Sequence, residues 1–319
     1  MRKEILTEID RVLSSGDLIL RKDVETFEEN LARFVGTRFA VGVNSGTDAL
    51  YLALKTLGVG PGDEVITQSH TFVATVQVIK LCGATPLLAD LGEDWNIYRT
   101  ERTKAIIPVH IAGKITPWES SDIPIIEDAC QALGAVKNPK SSIQCWSFYP
   151  AKILGCYGDG GAITTNDEGI RDEIRSLRNH CKPSYREWGI NSRLDNLQAA
   201  ILNVKLKYLP AILSRRQEIA AVYLRELRGI QGLHLPRNTE GRVWQDFILR
   251  TRKRDKLFIN LKIKGVETMK NYYPMPLEKR PLAAAMERET LRIPCNETLT
   301  HEEVTYVVSC IKNFFVSTV

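Results

Sequence analysis

No run of apolar residues in this sequence is long enough to span a bilayer, so a helical membrane protein is excluded. Cysteine offers no framework either. The seven, at 82, 130, 145, 156, 181, 295 and 310, are odd in number and never spaced C-x-x-C, which argues against a zinc ribbon and a disulfide scaffold. The five histidines are scattered singly, so no metal site is expected; His110 and His180 stand out only by bordering segments discussed below. There is no P-loop, and Gly58-Val-Gly-Pro-Gly62 follows a helical pattern and precedes a strand, the reverse of a dinucleotide loop. The start, Met1-Arg-Lys-Glu-Ile5, lacks the apolar stretch of a signal peptide, so a cytoplasmic protein with reduced thiols is expected. Repeats and low-complexity segments are missing as well.

What is present is ordinary for a globular chain. Its 319 residues are 44% hydrophobic and 25% charged, enough for a large α/β domain and a smaller one, each with its own core. The net charge of +5 is spread out. The densest basic stretch, Arg250–Lys256, alternates with polar residues and reads as a solvated helix start rather than a nucleic-acid patch.

Short apolar runs alternate with helical patterns between residues 39 and 180. Strands are expected at Phe39–Val43, Glu64–Thr67, Pro86–Asp90, Ala105–Val109, Ile123–Glu127, Ile143–Ser147 and Gly161–Thr165. That alternation predicts a mostly parallel sheet of seven strands covered by helices. A long helix is expected from Leu194 to about Arg228, kinked at Pro210. Thr300-His-Glu-Glu303 is a capping box that opens a last helix. The division expected is a large α/β domain over 1–205 and a small α+β domain over 206–319.

Four segments could carry chemistry. Ser45-Gly46-Thr47 lies at a strand-to-helix junction, where glycine admits a close ligand and helix N–H groups favour a phosphate; a plain helix cap is the alternative. Asp128 ends an apolar run at the ligand-binding edge of an α/β sheet. There it could hold a pyridine nitrogen protonated, or simply belong to a turn; Gln131 could bond a ring hydroxyl. Ser147-Phe-Tyr-Pro-Ala-Lys152 leads into Gly155 and Gly158-Asp-Gly-Gly161. A lysine shielded by aromatics after a strand can become an amine nucleophile, and Ser147 could bond a phosphate; a surface lysine beside turns is the alternative. Asn191-Ser-Arg-Leu-Asp195 opens the long helix, with Asn191 and Arg193 suited to anions and Asp195 to capping.

Read together, these segments resemble the DegT/StrS family of nucleotide-sugar aminotransferases. Asn44–Leu50, Gly58–Ile66, Thr71–Thr75, Lys104–His110, Ile126–Gln131, Ser147–Lys152, Gly158–Ala162, Leu177–His180 and Asn191–Asp195 carry the likeness, which weakens after about residue 235. The resemblance implies the type I fold of enzymes that use pyridoxal 5'-phosphate, and a homodimer with shared active sites. It makes Lys152 the Schiff-base lysine and Asp128 the partner of the pyridine nitrogen. Gln131 falls near the ring hydroxyl and Phe72 on the ring face. Gly46, Thr47 and Ser147 fall at the phosphate, which Asn191 reaches from the other subunit. The implied reaction moves an amine from an amino donor, glutamate, to a nucleotide-linked keto sugar. Ser192 within Asn-Ser-Arg-Leu-Asp is similar to members that aminate position 3 of dTDP-linked 6-deoxy sugars. A keto-inositol as substrate, or a regulator that binds the cofactor without turnover, are the alternatives. Neither nucleic acid nor membrane is an expected partner.

The chain departs from the family pattern by trimming after Trp95, after Lys114 and between Ala135 and Ser141. Cys130 and Cys181 replace the usual Ala and Gly, and Tyr272 stands where His is frequent.

Overall fold

The computed structural model describes residues 1–92, 98–118, 122–185, 187–237, 239–270, 277 and 280–316. Two helices, α1 (Arg2–Ser15) and α2 (Lys22–Val35), precede β1 (Phe39–Val43). Then follow α3 (Gly46–Thr56), β2 (Glu64–Gln68), α4 (Val73–Leu81), β3 (Thr85–Ala89), β4 (Thr103–Ile107), β5 (Ile126–Asp128), β6 (Ile143–Ser147), β7 (Gly161–Thr165), α5 (Glu168–Leu177) and the long α6 (Asn196–Glu226).

The pleat of each strand sorts its side chains between two cores. Val41, Val43, Cys145 and Ile163 point to one face, where Leu50 of α3, Ile79 of α4 and Ile174 of α5 cover them. Ala40, Trp146 and Ala162 point to the other, under Phe27 and Leu31 of α2 and Leu202 and Leu209 of α6. Both faces of the strands are therefore dry. Each large apolar side chain buried this way contributes about 1.5–3 kcal/mol.

The strands form a four-stranded sheet in the order β1-β7-β6-β5 and a three-stranded sheet in the order β3-β2-β4. β2 pairs in parallel with β3 and β4, and β5 with β6, while β7 runs antiparallel between β6 and β1. The facing edges, β4 and β5, meet through parallel bridges at Ile106–Ile125 and Val109–Asp128. The architecture is α/β with mixed pairing.

Three local expectations need correcting. β5 starts three residues later than its apolar run. Pro124 has no N–H to donate, and only its carbonyl pairs, accepting from Ile106 N–H at 3.1 Å. Asp128 consequently sits inside the strand. Asp195 occupies the N-cap position of α6, but its side chain makes no capping bond; the first helical N–H, from Asn196, donates to the Leu18 carbonyl at 2.9 Å. Arg254 is not part of a solvated helix start. It is 9% exposed and its Nη1 donates to the Glu287 carbonyl at 2.9 Å. Helix α6 continues through Pro210 for 31 residues.

Beyond α6 come β8 (Phe247–Arg250), α7 (Arg254–Ile263), β9 (Met269–Lys270), α8 (Pro281–Glu289), β10 (Thr290–Ile293) and α9 (His301–Val316). The strands form an antiparallel sheet in the order β8-β10-β9. A third core gathers Ile219 and Tyr223 of α6, Trp244, Phe247, Leu257 of α7 and Ile311 of α9. The capping box is in place: Thr300 N–H donates to Glu303 Oε2 at 2.8 Å, and Glu303 N–H to Thr300 Oγ1 at 3.1 Å. Trp95 and Tyr272–Pro274 lie outside the described residues. No described helix is long and apolar enough to cross a membrane.

Candidate active site

The parallel strands end together on one edge, and the segments singled out in the sequence meet there. Asp128, the last residue of β5, is 6% exposed. Its Oδ2 accepts from the Thr75 hydroxyl at 2.8 Å and its Oδ1 from Cys130 N–H at 3.3 Å. Thr75, in the first turn of α4, and Thr71, just before the helix, have hydroxyls 2.8 Å apart. Since the Thr75 hydrogen goes to Asp128, Thr71 donates to Thr75, and the chain of hydroxyls has one direction.

Gly46 opens α3 against this group. A Cβ there would lie 2.7 Å from Ser147 Cβ and 2.8 Å from Cys130 Sγ, so only glycine lets the helix start approach the end of β6. Ser45 caps the helix by accepting from Asp48 N–H at 3.0 Å. The cap and the close approach thus coexist, on adjacent residues. Thr47 and Ser147 are half-buried beside them, and Ser147 Oγ accepts from Tyr149 N–H at 3.4 Å.

Lys152 lies in the turn after β6 and is half-buried. Burial pushes the neighbouring Cys130 thiol well up, the Asp128 carboxylate pushes it further, and the Lys152 ammonium opposes both. Cys130 therefore lies within electrostatic reach of the carboxylate and the amine. Gln131 Oε1 accepts from Ala112 N–H at 2.7 Å, which turns the NH2 end of the amide away from that turn. Phe72, at the start of α4, is 53% exposed.

Asn191 is exposed and pairs by backbone with Asn179. Its neighbour Ser192 is buried instead, accepting from Asn44 N–H at 3.1 Å and donating to Asp48 Oδ2 at 2.6 Å. His110 is fully buried, with Nε2 at 2.7 Å from Glu127 on the face of β5 opposite Asp128. His180 is exposed, in a left-handed backbone conformation with φ 60.

Three contributors escaped the sequence reading. Thr75 left a trace, as a second hydroxyl in the Thr71–Thr75 segment. Arg242 and Gln245 left none, being far away in the chain. Arg242 donates to the Ala112 carbonyl from Nε and Nη2 at 3.3 and 3.2 Å, and Gln245 touches the Lys152 turn. Burial pulls the Arg242 guanidinium down to about 10. The 111–113 turn also lines a cavity of about 670 Å³ between the strand ends and the C-terminal segment, with Lys114, Arg237, Arg242 and Arg250 in its wall.

The model of the DegT/DnrJ/EryC1/StrS aminotransferase family matches residues 1–312. The chain is 37% identical to a dTDP-3-amino-3,4,6-trideoxy-alpha-D-glucose transaminase of Streptomyces venezuelae, over 98% of this chain and 93% of that one. It is 39% identical to a UDP-2-acetamido-2-deoxy-3-oxo-D-glucuronate aminotransferase of Pseudomonas aeruginosa, over 89% and 86%. The crystal structure of S. venezuelae DesV in complex with a ketimine intermediate superposes with a TM-score of 0.91 at 36% identity, covering 98% of this chain and 95% of that one. Whole-chain likeness of this depth means that the chain belongs to the DegT/DnrJ/EryC1/StrS aminotransferase family and is a transaminase that uses pyridoxal phosphate.

Proposed function

We propose that the chain moves the amino group of an amino acid, L-glutamate, to a nucleotide-linked keto sugar, with a dTDP-3-keto-6-deoxyhexose as the substrate. Both relatives named above act on nucleotide-linked sugars whose names carry the reacting group at position 3. The observation that carries the reading is the Asp128 carboxylate, held by Thr75 and Cys130 N–H beside the close contact of Gly46 with Ser147 and the Lys152 turn.

These residues fit pyridoxal phosphate. Gly46 lets the start of α3 pack directly on Ser147 and Cys130, which brings helix N–H groups that suit a phosphate to the strand edge, with Thr47 and Ser147 adding hydroxyls. When bound, the cofactor supplies a carbonyl for the amine and a ring that draws electrons from the reacting carbon. Asp128 would hold a proton at the pyridine nitrogen, its position fixed by its two donors. Lys152 would bind the cofactor through Nζ, then act there as base and acid once the donor amine has displaced it. Gln131 would offer its NH2 to the ring hydroxyl, and Phe72 its exposed face for stacking.

Asn191 points to a homodimer with shared sites, since an exposed side chain can serve a neighbouring copy's phosphate. The basic wall of the 670 Å³ cavity suits an anionic nucleotide. We read the two sheets as one seven-stranded layer of a large domain over 1–205, with a small domain over 206–319 built on the third core. Seven unpaired cysteines, six of them buried, fit a cytoplasmic setting.

Incubation with glutamate and a panel of ketones, followed by mass spectrometry, tests the substrate. Amination of the dTDP-3-keto sugar is expected. Turnover of a keto-inositol with inertness toward every nucleotide sugar would move the substrate to the inositol. Cofactor uptake without reaction with any amino donor would make the protein a cofactor-binding regulator.

A further inference from the structure

A lysine that must meet a carbonyl needs a fixed direction, and Lys152 sits in a turn. Within that turn Lys152 N–H donates to the Tyr149 carbonyl at 2.8 Å. Gly155 packs so closely on the Pro150 carbonyl that a Cβ would collide with it, and Lys205 Nζ donates to the Gly155 carbonyl. These contacts set where the turn lies. The aim of Lys152 depends in addition on the two peptide planes that flank its Cα, because their orientations define φ and ψ at that residue.

Both planes are bonded to a single side chain. Gln245 Nε2 donates to the Ala151 carbonyl at 2.9 Å, and Gln245 Oε1 accepts from Ile153 N–H at 3.0 Å. The first bond restrains the plane that ends at Lys152 N, the second the plane that begins at its carbonyl carbon. Together they restrict φ and ψ at 152 and so the direction of the Cα–Cβ bond. An amide carries a donor and an acceptor at the spacing this requires.

The clamp has a firm base. Trp244, next to Gln245, is 1% exposed, stacks on Phe247 with ring centroids 5.1 Å apart and donates from Nε1 to Gln217 Oε1 at 2.6 Å. Arg216 of α6 donates from Nη1 to the carbonyls of Trp244 and Gln245 at 3.0 and 3.2 Å, and from Nε to Glu297 at 2.9 Å. The same segment holds the turn behind Gln131, through Arg242 and through Val243 N–H, which donates to the Gly113 carbonyl at 3.1 Å.

The geometry points to Gln245 as the positioning residue for Lys152: it aims the amine without touching cofactor or substrate. The consequence rests on the transaminase reading, whereas the clamp itself can be tested without cofactor. Two measurements on wild type, Gln245→Met and Gln245→Glu separate them. Methionine keeps the length without either bond; glutamate keeps the acceptor and loses the donor. In cofactor-free protein, hydrogen exchange at the Ile153 amide is expected to speed up roughly tenfold or more in Gln245→Met and less in Gln245→Glu, with the core strands unchanged. On adding pyridoxal phosphate, the Lys152-dependent absorption band is expected to form about ten- to a hundredfold more slowly in Gln245→Met. Equilibrium binding of the cofactor to Lys152→Ala is expected to stay within about twofold when Gln245→Met is added, because a residue acting through Lys152 has nothing left to act on. Unchanged exchange at Ile153 overturns the clamp. Faster exchange with normal band formation overturns the positioning role, as does an equal loss of cofactor affinity in the Lys152→Ala background. A wild type with no Lys152-dependent band sinks the transaminase reading instead, and the positioning role with it.

Discussion

Glu127 and Asp128 are consecutive carboxylates of β5, both nearly sealed from water at 4% and 6% exposure. The pleat sends them to opposite faces, and their roles diverge from there. Glu127 meets His110 Nε2 at 2.7 Å and the Ser141 hydroxyl. His110 Nδ1 accepts from Thr116 N–H at 3.2 Å, so the ring proton sits on Nε2 and is donated to Glu127. Ser141 Oγ in turn accepts from Gln144 Nε2 at 2.7 Å. This closed set of partners ties β4 to β5 and to the start of β6. Asp128 is held by donors from α4 and its own loop, at the strand edge that also brings the Gly46 helix start and the Lys152 turn. Both are buried carboxylates; the company on each face separates the one that ties the fold together from the one proposed to serve a ligand.

The sharpest way to break this contrast is Asp128→Asn. Transamination is expected to fall by roughly 10²–10⁴-fold in single-turnover kinetics with glutamate, since the amide cannot supply the charge facing the cofactor ring. Thermal stability should change little. The converse is Glu127→Gln, where an NH2 group replaces one of two oxygens that each face a donor. A loss of about 2–3 kcal/mol in denaturant unfolding is expected, with the lysine-dependent absorption band preserved. A variant that lost the band and kept its stability would reverse the assignment of the two residues.

Thr75→Val probes the support of Asp128 without touching the carboxylate. It keeps the shape, removes the donor, and is expected to slow the donor half-reaction by about tenfold, in line with one hydrogen bond to a charged group. The smallest effect concerns the buried thiols. Burial pushes Cys82 and Cys156 up to about 11 and Cys295 to about 12. In the unfolded chain these groups ionise near the ordinary thiol range, about 8.5. The unfolded state then loses protons first, so their contribution is present below that range and is lost as pH rises toward 11–12. Unfolding free energies measured between pH 8 and 10 should fall, by on the order of 1 kcal/mol per thiol, and less in Cys295→Ala.

Much of the candidate site's layout was legible because its residues sit on local patterns. Strand, glycine and helix start adjoin in Val43–Thr47, and strand, aromatics and lysine adjoin in Ser147–Lys152. Asp128 was legible as a residue but not as part of its strand, since apolar character at Ile123 and Ile125 masked the effect of Pro124. Arg254 and Asp195 were misread for a related reason: tertiary partners, not local propensity, decide whether a charged side chain is solvated or a cap is made. Gln245 could not be read at all. Its partners at 151 and 153 lie more than ninety positions away, and a glutamine before a strand looks like any surface residue.

The central claim is that Lys152 and Asp128 run a transamination on pyridoxal phosphate, and absorption spectroscopy tests it most directly. Wild type and Lys152→Ala would be recorded with added cofactor, before and after glutamate. The expected result is a near-visible band in wild type that glutamate converts to the spectrum of the aminated cofactor, with neither the band nor the conversion in Lys152→Ala. A band indifferent to Lys152, or one that no amino donor alters, would contradict the claim.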